Sequence, residues 1–201
     1  MRSQTRTLLI IVIGLFVLLG LVVFGRGYFV RQSGLIDPPK WATGDQWTWH
    51  NSGGPDVSFS VLRVQPDWYE VQVRTRTSTQ TIRVGQDLSL QNADWFRFQW
   101  PLTPGHTWVY QVTGTANGRN VTWQGTARAA ALESVTVPAG TFEAVRIDGR
   151  HCNLTAGGCG TFTMWYAPKA EYVVKLVVGN TPYWIPAVRG FRQELLSYQV
   201  H

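Results

Sequence analysis

The sequence predicts an all-β domain, an antiparallel meander forming a curved sheet or partly open barrel, preceded by one N-terminal transmembrane helix. Three observations carry this. Residues 8–24 form an unbroken run of seventeen apolar or glycine residues, side-chain polarity alternates with a period of two beyond Trp41, and turn residues punctuate the chain at short intervals.

The first element is the apolar run. At about 1.5 Å per residue it covers roughly 26 Å, and extension to Val30 gives about 35 Å, against a hydrocarbon core of about 30 Å. Leu8, Ile11, Leu15, Leu18, Val22, Phe24 and Tyr28 are the expected lipid-facing anchor residues of a helix over 8–30, with residues 1–7 cytoplasmic. A cleaved signal peptide is the alternative. Gly25-Arg26-Gly27-Tyr28-Phe29-Val30 follows the run, placing charge and aromatics where a peptidase needs small neutral residues, and no A-x-A pattern is present. Leu18-Leu19-Gly20-Leu21 has no cysteine after its glycine, so a lipid-modified N-terminus is not indicated. Arginines flank both ends of the run, and charge orients the helix only weakly. Gly14 and Gly20 are six apart, which is not the four-residue spacing of a helix-dimer motif.

Residues 31–40 read as an extended linker, because Pro38-Pro39 resists helix and sheet alike. Residues 41–201 are read as one periplasmic β-domain. Strands are expected where Val71 and Val73 alternate with Gln72 and Arg74, where Phe96, Phe98 and Trp100 alternate with Arg97 and Gln99, and where Trp108, Tyr110 and Val112 alternate with Val109 and Gln111. Asn117-Gly118, between 107–115 and 120–128, is the strongest hairpin signal, since both residues tolerate positive φ. Pro66-Asp67, Pro104-Gly105, Pro138-Ala139-Gly140 and Asp148-Gly149 mark further bends. The last strands are expected over 162–166, 172–178 and 193–200. Together these give about nine to eleven antiparallel strands. The pattern G-x-x-W-x-aromatic occurs at Gly44 and again at Gly105, as a duplicated half-barrel would produce.

Net charge is +6, but residues 1–31 hold four arginines and no acid, leaving fourteen Lys and Arg against twelve Asp and Glu beyond them. The basic excess belongs to the membrane flanks, and no nucleic-acid partner is expected. Cys152 and Cys159 are separated by six residues of a Gly-rich loop between two strand-like runs. That spacing lets the chain fold back and close a small disulfide ring, which would require an oxidising compartment and hence a periplasmic domain. A pair of reduced cysteines is the alternative. His151 beside them makes a poor zinc site, and no metal or cofactor is expected.

Val135-Thr136-Val137-Pro138-Ala139-Gly140-Thr141-Phe142, followed by Trp165-Tyr166-Ala167-Pro168, resembles the V-P-A-G-T-F and W-Y-A-P signature of uncharacterised bacterial envelope β-domains. Those domains are similar to the half-barrels of lipoprotein carriers such as LolA and LppX. The matching region covers about residues 94–178, with Trp100-Pro101-Leu102-Thr103-Pro104-Gly105 as its P-L-x-x-G lead-in. The resemblance implies a periplasmic curved sheet with a concave apolar face and transfers no catalytic residue. Relatives commonly carry glycine after the W-Y-A-P turn, where this chain has Lys169-Ala170-Glu171, so a local difference is expected there. Pro138 and Gly140 suit a tight reversal, with Phe142 and Val145 packing onto Trp165 and Tyr166.

No nucleophile elbow, H-E-x-x-H, P-loop, dinucleotide fingerprint or haem-attachment pattern occurs, and His50, His106 and His151 are widely separated. An enzyme is not expected. Ten Trp, seven Tyr and nine Phe are the more informative set. In the adjacent pairs Trp68-Tyr69, Trp95-Phe96 and Tyr183-Trp184, one ring must face away from its neighbour's side. Trp68, Tyr69, Trp95, Tyr183 and Trp184 are therefore candidate interface residues, or else caps on the open end of the barrel. The expected role is a non-catalytic accessory subunit of an inner-membrane complex, respiratory or photosynthetic in type, with membrane lipid and other membrane subunits as partners. A periplasmic module for lipid or another apolar ligand is the alternative, and an envelope enzyme a remote one.

Overall fold

The computed structural model describes residues 35–90, 96–116, 119–179 and 190–201. The anchor residues Leu8, Ile11, Leu15, Leu18, Val22, Phe24 and Tyr28 lie outside the described residues, as do Trp95, Tyr183 and Trp184. Among the described residues, no helix is long and apolar enough to cross a membrane.

Among the described residues ten strands run in chain order: β1 (Gln46–Asn51), β2 (Val57–Val64), β3 (Trp68–Arg74), β4 (Thr79–Gly85), β5 (Thr107–Ala116), β6 (Arg119–Val137), β7 (Gly140–Asn153), β8 (Cys159–Ala167), β9 (Tyr172–Val178) and β10 (Arg192–Gln199). All pair antiparallel in one open sheet of order β4-β3-β2-β1-β10-β9-β8-β7-β6-β5. The topology departs from a simple meander in one respect. The chain starts in the middle at β1, walks out to the β4 edge, crosses to the opposite edge at β5, and walks back until β10 pairs with β1.

Pro66-Asp67 and Pro138-Ala139 fall at hairpin reversals, whereas Asp148-Gly149, expected as a bend, lies inside β7 and pairs with Thr163 and Phe162 of β8. Ala116 pairs with Arg119 at the end of the β5–β6 ladder, and the expected turn residues Asn117 and Gly118 lie outside the described residues. In the V-P-A-G-T-F segment Val137 pairs with Gly140, leaving Pro138-Ala139 as the loop, and Gly140 sits at φ 131°. A side chain there would be strained, so glycine is the residue that closes this reversal. Val145 is the cross-strand partner of Tyr166, as expected, but Phe142 packs on Tyr198 of β10 at 5.5 Å.

The sheet buries one face. Val71, Trp108, Ile147, Phe162, Tyr166 and Leu195, from five different strands, belong to one core cluster. Register shifts at Thr48/Trp49, Val61/Arg63, Ala129/Ala131 and Trp165/Tyr166 each add local bend. The resulting curl is visible in the backbone. The Ala139 N–H in the β6–β7 turn donates to the Leu195 carbonyl of β10 at 2.9 Å, although β10 and β7 stand three strands apart in the sheet.

The concave face is filled by the chain itself. Residues 96–100, expected as a strand, form no ladder. They lie across the face with Phe96 against Tyr110 and Phe162, each at 5.2 Å, Phe98 stacked on Trp100, and Trp100 edge-on to Tyr166. The Trp108 and Trp100 indoles tie this connection down by donating to the Arg97 and Asp87 carbonyls, both at 2.9 Å. Aromatic alternation here reflects contact with a buried face rather than sheet pairing.

Residues 35–40, within the stretch read as a linker, are described. The compact unit begins at Leu35. Ile36 and Leu102 exchange backbone hydrogen bonds of 3.2 and 2.8 Å, Leu102 is fully buried, and Pro39 is buried. Paired prolines favour an extended conformation, and here that extended strap is docked on the domain.

Candidate functional site

The site is built where β8 hands over to β9. After Ala167, Pro168–Ala170 makes a single 3-10 turn and Glu171 leaves it with φ 53°, ψ 20°. Its N–H donates to the Pro168 carbonyl at 3.1 Å. This left-handed conformation costs a non-glycine residue about 1–2 kcal/mol. Glycine would adopt this conformation without that strain.

Three tryptophans hold the turn from below. The indole N–H of Trp41 donates to the Glu171 carbonyl at 3.0 Å, that of Trp47 to Ala170 at 2.7 Å, and that of Trp49 to Val173 at 2.9 Å. Trp47 and Trp49 point inward because β1 alternates, and their apolar rings meet Trp41, Phe59 and Tyr172 beneath the turn. A burst of carbonyls that a tight turn leaves unpaired is thus satisfied by donors that also fill the core.

Asp45 lies beside this layer and is 1% exposed. Its Oδ2 accepts from the Ala42 N–H at 2.7 Å. Its Oδ1 accepts from the His201 N–H at 3.0 Å and lies 3.0 Å from His201 Nδ1. Its oxygens are committed to fixing the strand end, and His201 is the ring it meets.

Glu171 is different. Its Oε2 is buried and has no hydrogen-bond partner. Burial, then the charge of Asp45, pushes its carboxyl above the ordinary value, while the Lys40 backbone N–H opposes the shift. The same surroundings raise two phenols, Tyr69 chiefly by burial and Tyr166 by burial with Glu171 adding to it. The Tyr69 hydroxyl donates to the Pro39 carbonyl at 3.2 Å. Above Glu171 opens a cavity of about 330 Å³ whose walls are residues 35–40, Tyr166 and Pro168. Leu35, 66% exposed, and Lys40 stand at its rim. A pocket of this size with one unsatisfied acceptor is suited to a small ligand carrying a hydrogen-bond donor.

The sequence-predicted residues are placed as follows. Cys152 and Cys159 are cross-strand partners at the end of the β7–β8 hairpin and form a disulfide. Trp68 is half-buried on the face opposite the core, with the Arg83 guanidinium 4.5 Å from its ring centroid. Tyr69, expected with it as an interface residue, is instead 3% exposed and belongs to the core, because strand alternation sends it to the other face. Among the described residues no group of three or more His, Cys, Asp or Glu stands ready to hold a metal ion. Sequence reasoning missed Glu171 and His201. The partner of His201 is 156 residues away, beyond any spacing signal. The absent glycine after W-Y-A-P was the one signal pointing to Glu171.

No protein-family profile matches the chain, and no curated protein matches it. Solved structures do share its fold. A Bacteroides fragilis protein, named as exported and as having a YmcC-like fold, matches at 14% identity and TM-score 0.51, over 82% of this chain and 99% of its own. A Parabacteroides distasonis protein, named as a lipoprotein, matches at 12% identity and TM-score 0.52, also over 82% and 99%. The hypothetical lipoprotein YmcC of Escherichia coli aligns at 9% identity and TM-score 0.47, over 78% and 85%. None of these three is a LolA- or LppX-type carrier by name.

Proposed function

We propose that the chain is a non-catalytic accessory or scaffold subunit of a larger inner-membrane assembly, of respiratory or photosynthetic type. In this reading the apolar N-terminal segment anchors it as a single-pass protein and the β-domain works in the periplasm. The observation that carries the reading is the filled concave face. Phe96, Phe98 and Trp100 occupy the surface that a half-barrel carrier keeps for cargo, so the outer faces are left to do the work. Trp68, turned outward under Arg83, is the described aromatic best placed for a partner protein. The Cys152–Cys159 disulfide suits an oxidising compartment, and the exported and lipoprotein names of the structural neighbours agree with an envelope location.

The test is a gentle pull-down of the full-length protein from its own membranes through a C-terminal tag, with native mass determination of what accompanies it. Stoichiometric membrane subunits are expected. Migration as a lone 22.6 kDa species in mild detergent would end the proposal. A second reading, a periplasmic module for lipid or another apolar ligand, is favoured by one feature, the cavity over Glu171.

A further inference from the structure

The fold uses the Glu171 backbone and leaves part of its side chain unused. Its N–H and carbonyl are bonded to Pro168 and Trp41, whereas Oε2 is buried without a partner among the described residues, and Glu171 is one of the residues lining an open cavity. Glycine would satisfy both backbone bonds and sit at φ 53° more comfortably. A strained residue whose side chain the core does not use is a mark of a functional position.

The chemistry of the cavity narrows its ligand. An ionised carboxylate only accepts hydrogen bonds, so a glutamate lining the cavity calls for an N–H or O–H donor, best a cationic one. A divalent ion is a poor fit, since Ca²⁺ takes six to eight oxygens and no three-residue ligand cluster occurs among the described residues. A quaternary ammonium has no N–H to offer. The walls contributed by Ile36, Pro38, Pro39 and Pro168 are apolar, suited to methylene groups, while Lys40 brings a positive charge to the lining and Asp37 a second negative one. An anionic group at the far end of the ligand completes the match.

We propose that this cavity binds a phosphoethanolamine group, its primary ammonium on the Glu171 carboxylate, its methylenes against the prolines and its phosphate within reach of Lys40. The group is found on ethanolamine phospholipids and in soluble phosphoethanolamine. The lipid is the nearer source under the anchored reading, because Leu35 follows Val30 by five residues, about 18 Å of fully extended chain. The site itself does not rest on the accessory role, and a pull-down without partners leaves its test unaffected.

The experiment is calorimetric titration of the full-length protein, held in phosphatidylcholine nanodiscs, with soluble phosphoethanolamine and with phosphocholine. Saturable binding of phosphoethanolamine is expected, at least 10-fold tighter than phosphocholine. Glu171→Gln is expected to weaken it at least 10-fold. Glu171→Gly is expected to abolish it while the Tm holds or rises, which separates recognition from folding. Repeating the titration in discs containing phosphatidylethanolamine distinguishes the sources: a weaker apparent affinity assigns the site to the lipid, and an unchanged one to the soluble compound. Absence of binding at millimolar ligand, equal affinity for the two headgroups, or unimpaired binding by Glu171→Gly overturns the proposal.

Discussion

Phe162 on β8 lies directly over its cross-strand partner Gly149 on β7. A Cβ built on the glycine would fall 2.1 Å from the ring's Cζ. Tyr110 covers Gly125 in the same way across β5 and β6, with the corresponding Cβ 2.3 Å from the ring. In both pairs the missing side chain of one strand is the seat of the aromatic ring of the next. Gly149→Ala is expected to cost about 1–3 kcal/mol by overpacking, and Phe162→Ala about 3–5 kcal/mol by emptying the seat. The two together should cost less than their sum, as measured by urea unfolding in a double-mutant cycle.

Tyr110 carries a separate expectation. Its hydroxyl is buried with no hydrogen-bond partner, and burial holds its pKa well above the ordinary value. Tyr110→Phe keeps the ring over Gly125 and removes only the unsatisfied oxygen. It should raise stability by about 1 kcal/mol, read as a higher denaturation midpoint at unchanged slope.

Two groups give pH dependences of opposite sign. Burial lowers the His151 pKa below 6.5, so the unfolded chain takes up the proton first. Stability is lost as pH falls below 6.5 toward the folded value, and His151→Phe should flatten that limb. Glu171 is raised above 4.5, so the folded chain holds its proton longer. Stability is lost as pH rises from 4.5 through the folded value. Glu171→Gln should therefore be the more stable protein at neutral pH, with the advantage vanishing below 4.5. Thermal melts between pH 3.5 and 8 check both.

The outward and inward members of one aromatic pair should part company on mutation. Trp68→Ala is expected to change stability by no more than about 1 kcal/mol, the worth of an exposed cation–π contact, while reducing recovery of partner subunits. Tyr69→Ala empties a core position and should cost about 3 kcal/mol or more. Unfolding curves and pull-down yields from the same preparations give both readouts.

The disulfide closes a small ring at the end of a hairpin whose pairing already brings Cys152 opposite Cys159. In the chain-entropy picture a ring of this size is worth about 2–3 kcal/mol. Cys152→Ser with Cys159→Ser should lower the unfolding midpoint by that amount, and alkylation of the native protein should add no mass before reduction.

Much of the fold was legible because β-structure writes itself locally. The strand expected over 172–178 is found with those bounds, and β5 pairs with β6 where a hairpin was expected. The segment holding Phe96, Phe98 and Trp100 misled for a physical reason: alternation reports which side chains meet a buried face, and a crossing segment on that face alternates without making a ladder. Little of the site was legible. Trp47 reaches Ala170 across 123 residues and Asp45 reaches His201 across 156, and such partnerships leave no trace in spacing. Glu171 was marked only as part of Lys169-Ala170-Glu171, the stretch after W-Y-A-P where the resemblance led to a glycine being expected.

The pairing of β1 with β10 sets the order in which this domain can be completed. Gln46 and Gln199 are partners, so β1 must wait for nearly the whole chain before gaining its second neighbour. Long-range closure of this kind slows folding, because the entropy of the intervening loop is lost before the contact rewards it. Until β10 arrives, the sheet exists as two halves, β4 to β1 and β9 to β5, each with a raw edge of unpaired amides. A chain emerging N-terminus first would expose both edges until its last ten residues had appeared. A ribosome-stalled or truncated product lacking β10 should accordingly aggregate or be degraded rather than persist as a smaller domain.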